Sequence, residues 1–162
     1  MKKNLKKVIS SLAALTMVSS VLVAPVSAAD FTDVANTAEY KQAVDELVAL
    51  GVVNGYAEDN TFRPENNITR AEVTKLVVAA MGPSYTEAAT GATGVDTQFS
   101  DVPGSHWASG FISTGVANSF INGMGDGTFA PEDNVTYAQI VKMIVAAMGY
   151  TSICERNGGY PN

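Results

Sequence analysis

The sequence predicts an all-α protein built from two tandem helix-loop-helix repeats. Three observations carry that reading: short motifs that return at a fixed offset, apolar residues at helical spacing, and a helix-capping signature ahead of the most apolar run of each copy. Phe31-Thr-Asp-Val34 returns as Phe99-Ser-Asp-Val102, Val53-Asn-Gly55 as Ile121-Asn-Gly123, Thr61-Phe62-Arg-Pro64 as Thr128-Phe129-Ala-Pro131, and Met81-Gly82 as Met148-Gly149. The offset is 68 before the middle loop and 67 after it, because the stretch from Gly55 to Phe62 is one residue longer than that from Gly123 to Phe129.

The elements follow in order. Lys2, Lys3, Lys6 and Lys7, then an apolar stretch from Val8 to Pro25 and small residues at 26–29, have the arrangement of a secretory signal peptide over residues 1–29. In the first repeat, Tyr40, Val44, Leu47 and Val48 form an apolar stripe, with Glu39, Lys41, Asp45 and Glu46 facing away and Gly51 as the stop. The second repeat places Ala108, Phe111, Ile112, Val116 and Phe120 on the matching stripe, where Gly110 and Gly115 are expected to weaken the helix by about 1 kcal/mol each. Asn54-Gly55 and Asn122-Gly123 turn the chain, and Asp126-Gly127 turns it again. Thr69 and Glu72, repeated as Thr136 and Gln139, form a capping box before each second helix. The cap leaves Arg70 unexplained, since a cation at the first helical position opposes the helix dipole. Residues 76–81 and 144–148 lack a polar face, so these helices are expected to be buried on several sides and to need at least one further helix to close the core. Residues 83–98 read as a small-residue linker without periodic signal. The repeats are bounded at 30–90 and 95–158, with 91–94 between them and 159–162 beginning a bridge to a possible third unit.

Composition narrows the function. Without residues 1–29 the chain keeps 6 basic against 16 acidic residues, a net charge near −10. Nucleic acid is therefore an unsuitable partner, and any anionic ligand needs a local cationic site. The single Cys154 is either a free thiol or half of an intermolecular pair. One histidine and one cysteine with no motif linking them give no nucleophile-base pair, so the chain is not expected to be an enzyme, and no cofactor is implied. Oxygen-rich loops at Glu58-Asp-Asn60, Asp126-Gly127 and Glu132-Asp133 lack the alternating ligands and closing glutamate of an EF-hand, which leaves calcium binding a minor alternative.

The order FTDV, amphipathic helix, VVNGY, an Asp/Asn loop ending in TFRP, then ITRAE and an apolar helix resembles the S-layer homology (SLH) domain, and covers nearly all of residues 30–158 twice. The resemblance implies an incomplete pseudo-threefold helical bundle, because such modules usually occur in threes. It also implies an exported protein of the bacterial cell wall or S-layer. Its role would be non-covalent anchoring through pyruvylated secondary cell-wall polysaccharide, a peptidoglycan-associated glycan. A structural lattice subunit is the alternative, and self-association or a third repeat would complete the core. Carried over residue by residue, Arg70 is the ligand-binding arginine of the first repeat, while Tyr137 stands in its place in the second and is either vestigial or a platform for a neutral sugar. Trp107 is either a sugar platform or a core or rim residue. Asp33 and Asp101 either hydrogen-bond sugar hydroxyls or cap helices.

Overall fold

A computed structural model describes residues 31–151; the segment 1–29 that the sequence predicts to be a leader, Cys154 and the segment 159–162 lie outside the described residues. Five helices make up the described part: α1 (Lys41–Ala49), α2 (Arg70–Ala80), α3 (Pro83–Gly91), α4 (Ser109–Ala117) and α5 (Tyr137–Ala147). The all-α expectation holds, for the β-type pairings found among the described residues are two isolated bridges, Tyr56 with Thr61 and Thr69 with Asn134. No helix there is long and apolar enough to cross a membrane.

Local sequence sets where each helix begins and ends. Thr69 and Thr136 accept from the N–H of the third helical residue, and Glu72 and Gln139 reach back to the N-cap N–H, so both expected capping boxes form. The α1 stop at Gly51 (φ 70°) is a Schellman motif, in which Gly51 N–H donates to the Val48 carbonyl and Val52 N–H to the Leu47 carbonyl. Gly149 repeats that motif after α5, with donation to Ala146 and, from Tyr150, to Val145.

The reading of 83–98 as linker is overturned by α3. Pro83 at its first position is pre-set for a helix and needs no N–H partner there, and Gly82 (φ 118°) lets the chain leave α2 and re-enter at once. Apolar periodicity fails to announce α3 because its contact face is made of small residues. Ala89 is fully buried, and Tyr85 meets the Phe120 ring at 5.3 Å. This helix packs on both α2 and α4, so the additional cover expected for α2 comes from a segment that sequence periodicity passes over.

Gly110 and Gly115 also change meaning. A Cβ on Gly110 would run into the Ala89 carbonyl, and one on Gly115 would lie 2.9 Å from the Ile121 side chain. Their absent side chains let α3 and the Phe120–Ile121 turn approach α4 closely, so the cost in helix propensity is offset by packing. The main core gathers Val73, Val77 and Val78 of α2, Ile112 of α4, and Phe99, Phe120 and Phe129 from the connecting segments. A smaller cluster of Phe31, Val34 and Val44 holds α1.

The two second helices are not equally covered. Arg70, Ala71, Val73, Thr74, Val77 and Val78 of α2 are buried, whereas α5 buries Met143 and Ala147. Tyr137, Ile144 and Met148 of α5 are exposed, and its main helical neighbour is α2. The two helices share a sequence pattern, but α2 lies between the repeats and α5 at one end.

Gly110→Ala should lower stability by about 1–3 kcal/mol, the cost of forcing a methyl into a filled contact. Denaturant unfolding checks this, and an unchanged midpoint would mean that α3 can lift off α4 freely.

Candidate functional site

The recurring motifs of each repeat meet in one knot of loop. Phe31 packs against Phe62 with ring centroids 5.6 Å apart, and Phe99 against Phe129 at 5.3 Å. Each first ring sits directly over the turn glycine, Gly55 or Gly123, where a Cβ would overlap it. Asp33 accepts from the N–H of Phe62 at 2.8 Å and of Arg63 at 2.7 Å, and Asp101 from those of Phe129 at 2.9 Å and Ala130 at 2.7 Å. Arg63 (φ 60°) and Ala130 (φ 58°) are left-handed without being glycine, and the carboxylate clamp holds both in that conformation. The Phe62 N–H, with Arg63 behind it, keeps the Asp33 carboxyl below its ordinary pKa despite some desolvation. At Asp101 burial pushes the pKa up, but the N–H groups of Phe129 and Ala130 outweigh it and the net shift is downward. These two residues brace loops, and neither caps a helix.

The start of α2 is where the repeats join. Arg70 N–H donates to the Asp133 carbonyl and Ala71 N–H to the Pro131 carbonyl, both at 2.9 Å, while Val135 N–H returns to the Ile68 carbonyl at 3.2 Å. Free helix N–H groups would suit a carboxylate at this point. Those of Arg70 and Ala71 are already taken by the second repeat, so only the guanidinium is left to meet a ligand. Its Nη2 donates to the Asn122 carbonyl at 2.6 Å and its Cζ lies 4.8 Å from the centre of the Phe129 ring. Nε is buried with no acceptor among the described residues. Burial lowers the pKa of Arg70, but a guanidinium stays charged in any protein setting.

Two grooves flank this junction in quasi-equivalent positions. The first, about 480 Å³, is lined by Asn54, Tyr56, Arg63, Glu72 and Lys75 of the first repeat and by Trp107 of the second. The second, about 610 Å³, is lined by Asn122, Met124, Gln139, Lys142 and Met143 of the second repeat and by Arg70 of the first. Each groove is thus a turn and a second helix from one repeat, with one large side chain supplied by the other. The S-layer homology domain model matches residues 30–74 and 98–141. This chain belongs to the SLH family. It is 35% identical over its whole length to a "Middle cell wall protein" of Brevibacillus brevis, of which it spans 15%. Over 99% of the chain it is 34% identical to a "Surface layer protein" of Brevibacillus choshinensis, of which it spans 14%. A "Cellulosome-anchoring protein" of Acetivibrio thermocellus is 33% identical over 73% of the chain, which corresponds to 26% of that protein. The chain therefore spans about a quarter or less of these relatives. Membership, with relatives named for the cell wall and the surface layer, places this chain at the bacterial cell surface.

The expected site residues are dispersed over this frame. Arg70 serves the groove of the second repeat, not that of its own. Trp107 is 48% exposed, stacks on His106 at 5.8 Å and serves the groove of the first repeat. Tyr137 is 84% exposed at the start of α5 and lines neither groove. Sequence reasoning passed over Lys75, Lys142 and the Tyr56–Arg63 pair, whose cation sits 3.8 Å over the ring. It read Gln139 only as a cap. The available signal was helical spacing, since Glu72, Lys75 and Leu76, like Gln139, Lys142 and Met143, fall at i, i+3 and i+4 on one face. The oxygen-rich loops satisfy themselves: Asp59 binds Thr61 and Arg63, and Asp126 binds Thr128. No group of three or more possible metal ligands occurs among the described residues.

A carboxyl whose folded pKa is lowered stabilises the fold above its unfolded pKa of about 3.9, and loses that contribution as pH falls through the folded value. Asp33 and Asp101 are both of this kind. Melting temperature should therefore fall as pH drops below about 4, and Asp33→Asn with Asp101→Asn should lower it at neutral pH and flatten the acid limb. Parallel slopes for wild type and variant would show that other carboxylates carry the acid sensitivity.

Proposed function

We propose that this chain is the wall-anchoring part of a larger surface protein, held non-covalently by secondary cell-wall polysaccharide. In this reading an acidic substituent of the glycan, a pyruvate ketal, meets Arg70 in the groove of the second repeat. One observation carries it: Arg70 is a largely buried residue whose side chain reaches across from the first repeat to the wall of this groove, beside the Asn122 turn. A carboxylate entering the groove would meet that cation by a charge-assisted interaction, which is stronger than a neutral one. The net negative charge of the protein makes such a local cation the one means of holding an anion, because long-range attraction is absent. The anchoring and surface-layer relatives support the setting, and the resemblance to SLH motifs supports the ketal.

The test is sedimentation of the protein with purified sacculi, intact or stripped of polysaccharide by hydrofluoric acid. Arg70→Met keeps the packing over Phe129 and removes the charge. It should weaken binding to intact sacculi about tenfold or more, in line with 1.5–3 kcal/mol for a bond to a charged group. Melting curves of the variant separate loss of binding from loss of fold. Equal retention on intact and stripped sacculi would overturn the proposal.

A further inference from the structure

The capping boxes of the two repeats differ by one group, and that group faces the grooves. Glu72 lines the first groove and Gln139 the second. As caps they are interchangeable. Glu72 accepts from Thr69 N–H at 2.8 Å and Gln139 from Thr136 N–H at 2.9 Å, and the threonine hydroxyls accept the return bonds at 3.3 Å in both. The fold needs an acceptor at this position and is indifferent to whether it is charged. Helix electrostatics alone would favour the carboxylate, since a negative charge in the first turn complements the dipole. The second repeat carries the amide instead.

Its effect on the grooves is direct. The first groove holds Glu72 with Lys75, and with Arg63, whose guanidinium is paired to Asp59 at 3.1 Å. The second groove has Arg70 on its wall and Gln139 where the first has Glu72, with no carboxylate among the described residues that line it. Exposed charges beyond about 8 Å are largely screened at physiological salt, so the sign of the groove is set by its own wall. We infer that Gln139 is a specificity-determining residue: by withholding the negative charge that Glu72 supplies in the first repeat, it makes the Arg70 groove the one that accepts an acidic sugar. This inference rests on the anion reading of that groove.

Gln139→Glu tests it, because the variant preserves the cap and should melt at the same temperature or higher. Its retention on intact sacculi should weaken about five- to tenfold, the effect of one added charge a few ångström from the ligand in a solvent-filled groove. The difference should vanish in 1 M salt, and also on sacculi whose acid-labile ketals have been removed by mild acid hydrolysis. Arg70→Met run alongside separates the two ideas. If Arg70→Met weakens binding and Gln139→Glu does not, the anion reading stands and the role given to Gln139 is wrong. If neither variant changes retention, the anion reading itself fails. A Gln139→Glu variant that loses melting temperature together with affinity would assign the residue a purely structural role and overturn the inference.

Discussion

The docking of the first turn of α2 onto the backbone of the second repeat is the contact on which the rest of the architecture depends. Arg70 and Ala71 donate to Asp133 and Pro131, and Val135 donates to Ile68, so three backbone bonds fix the two repeats in register. Helix N-termini must place their first N–H groups somewhere, and here a neighbouring loop takes them. Capping box and inter-repeat bonds together leave the α2 start saturated. It follows that Arg70 cannot act as one arm of a helix-terminus anion site. Its side chain instead crosses from one repeat to the wall of the groove of the next.

That crossing shapes both grooves. Arg70 spans to the Asn122 carbonyl and covers the Phe129 ring, tying it to the turn that walls the second groove. Trp107 makes the opposite crossing into the first groove. The repeats are therefore similar in sequence and unlike in surroundings. Arg70 is almost buried and Tyr137 almost bare, because α2 has a following repeat to dock on, and no described residue covers the matching face of α5.

Close approach along α4 supplies the second constraint. Gly110 and Gly115 remove side chains where α3 and the Phe120–Ile121 turn must come near, and Ala89 answers with a methyl. A core assembled by backbone proximity presents few large apolar residues to a periodicity search, which is why α3 escapes it. The loop knots rest on a third economy of means. One aspartate satisfies two N–H groups and holds a left-handed residue, while a phenylalanine fills the space that its glycine leaves open. Each part of FTDV, NG and TF is accounted for by that local structure with no ligand present.

The sequence by itself determined whatever depends on near neighbours in the chain. The repeat, the capping boxes at Thr69 and Thr136, the glycine stop at Gly51 and the SLH membership are all of this kind, since caps and turns are made by residues within a few positions of one another. Tertiary structure decided which repeat each candidate residue serves. Arg70 and Asn122 are 52 positions apart, and Asp33 and Arg63 are 30 apart. No pattern along the chain reveals that the first pair joins two repeats while the second closes one loop. Gln139 shows the division most sharply: its backbone bond to Thr136 is legible from spacing, whereas its place on the wall of the groove that holds Arg70 exists only once two distant segments have packed together.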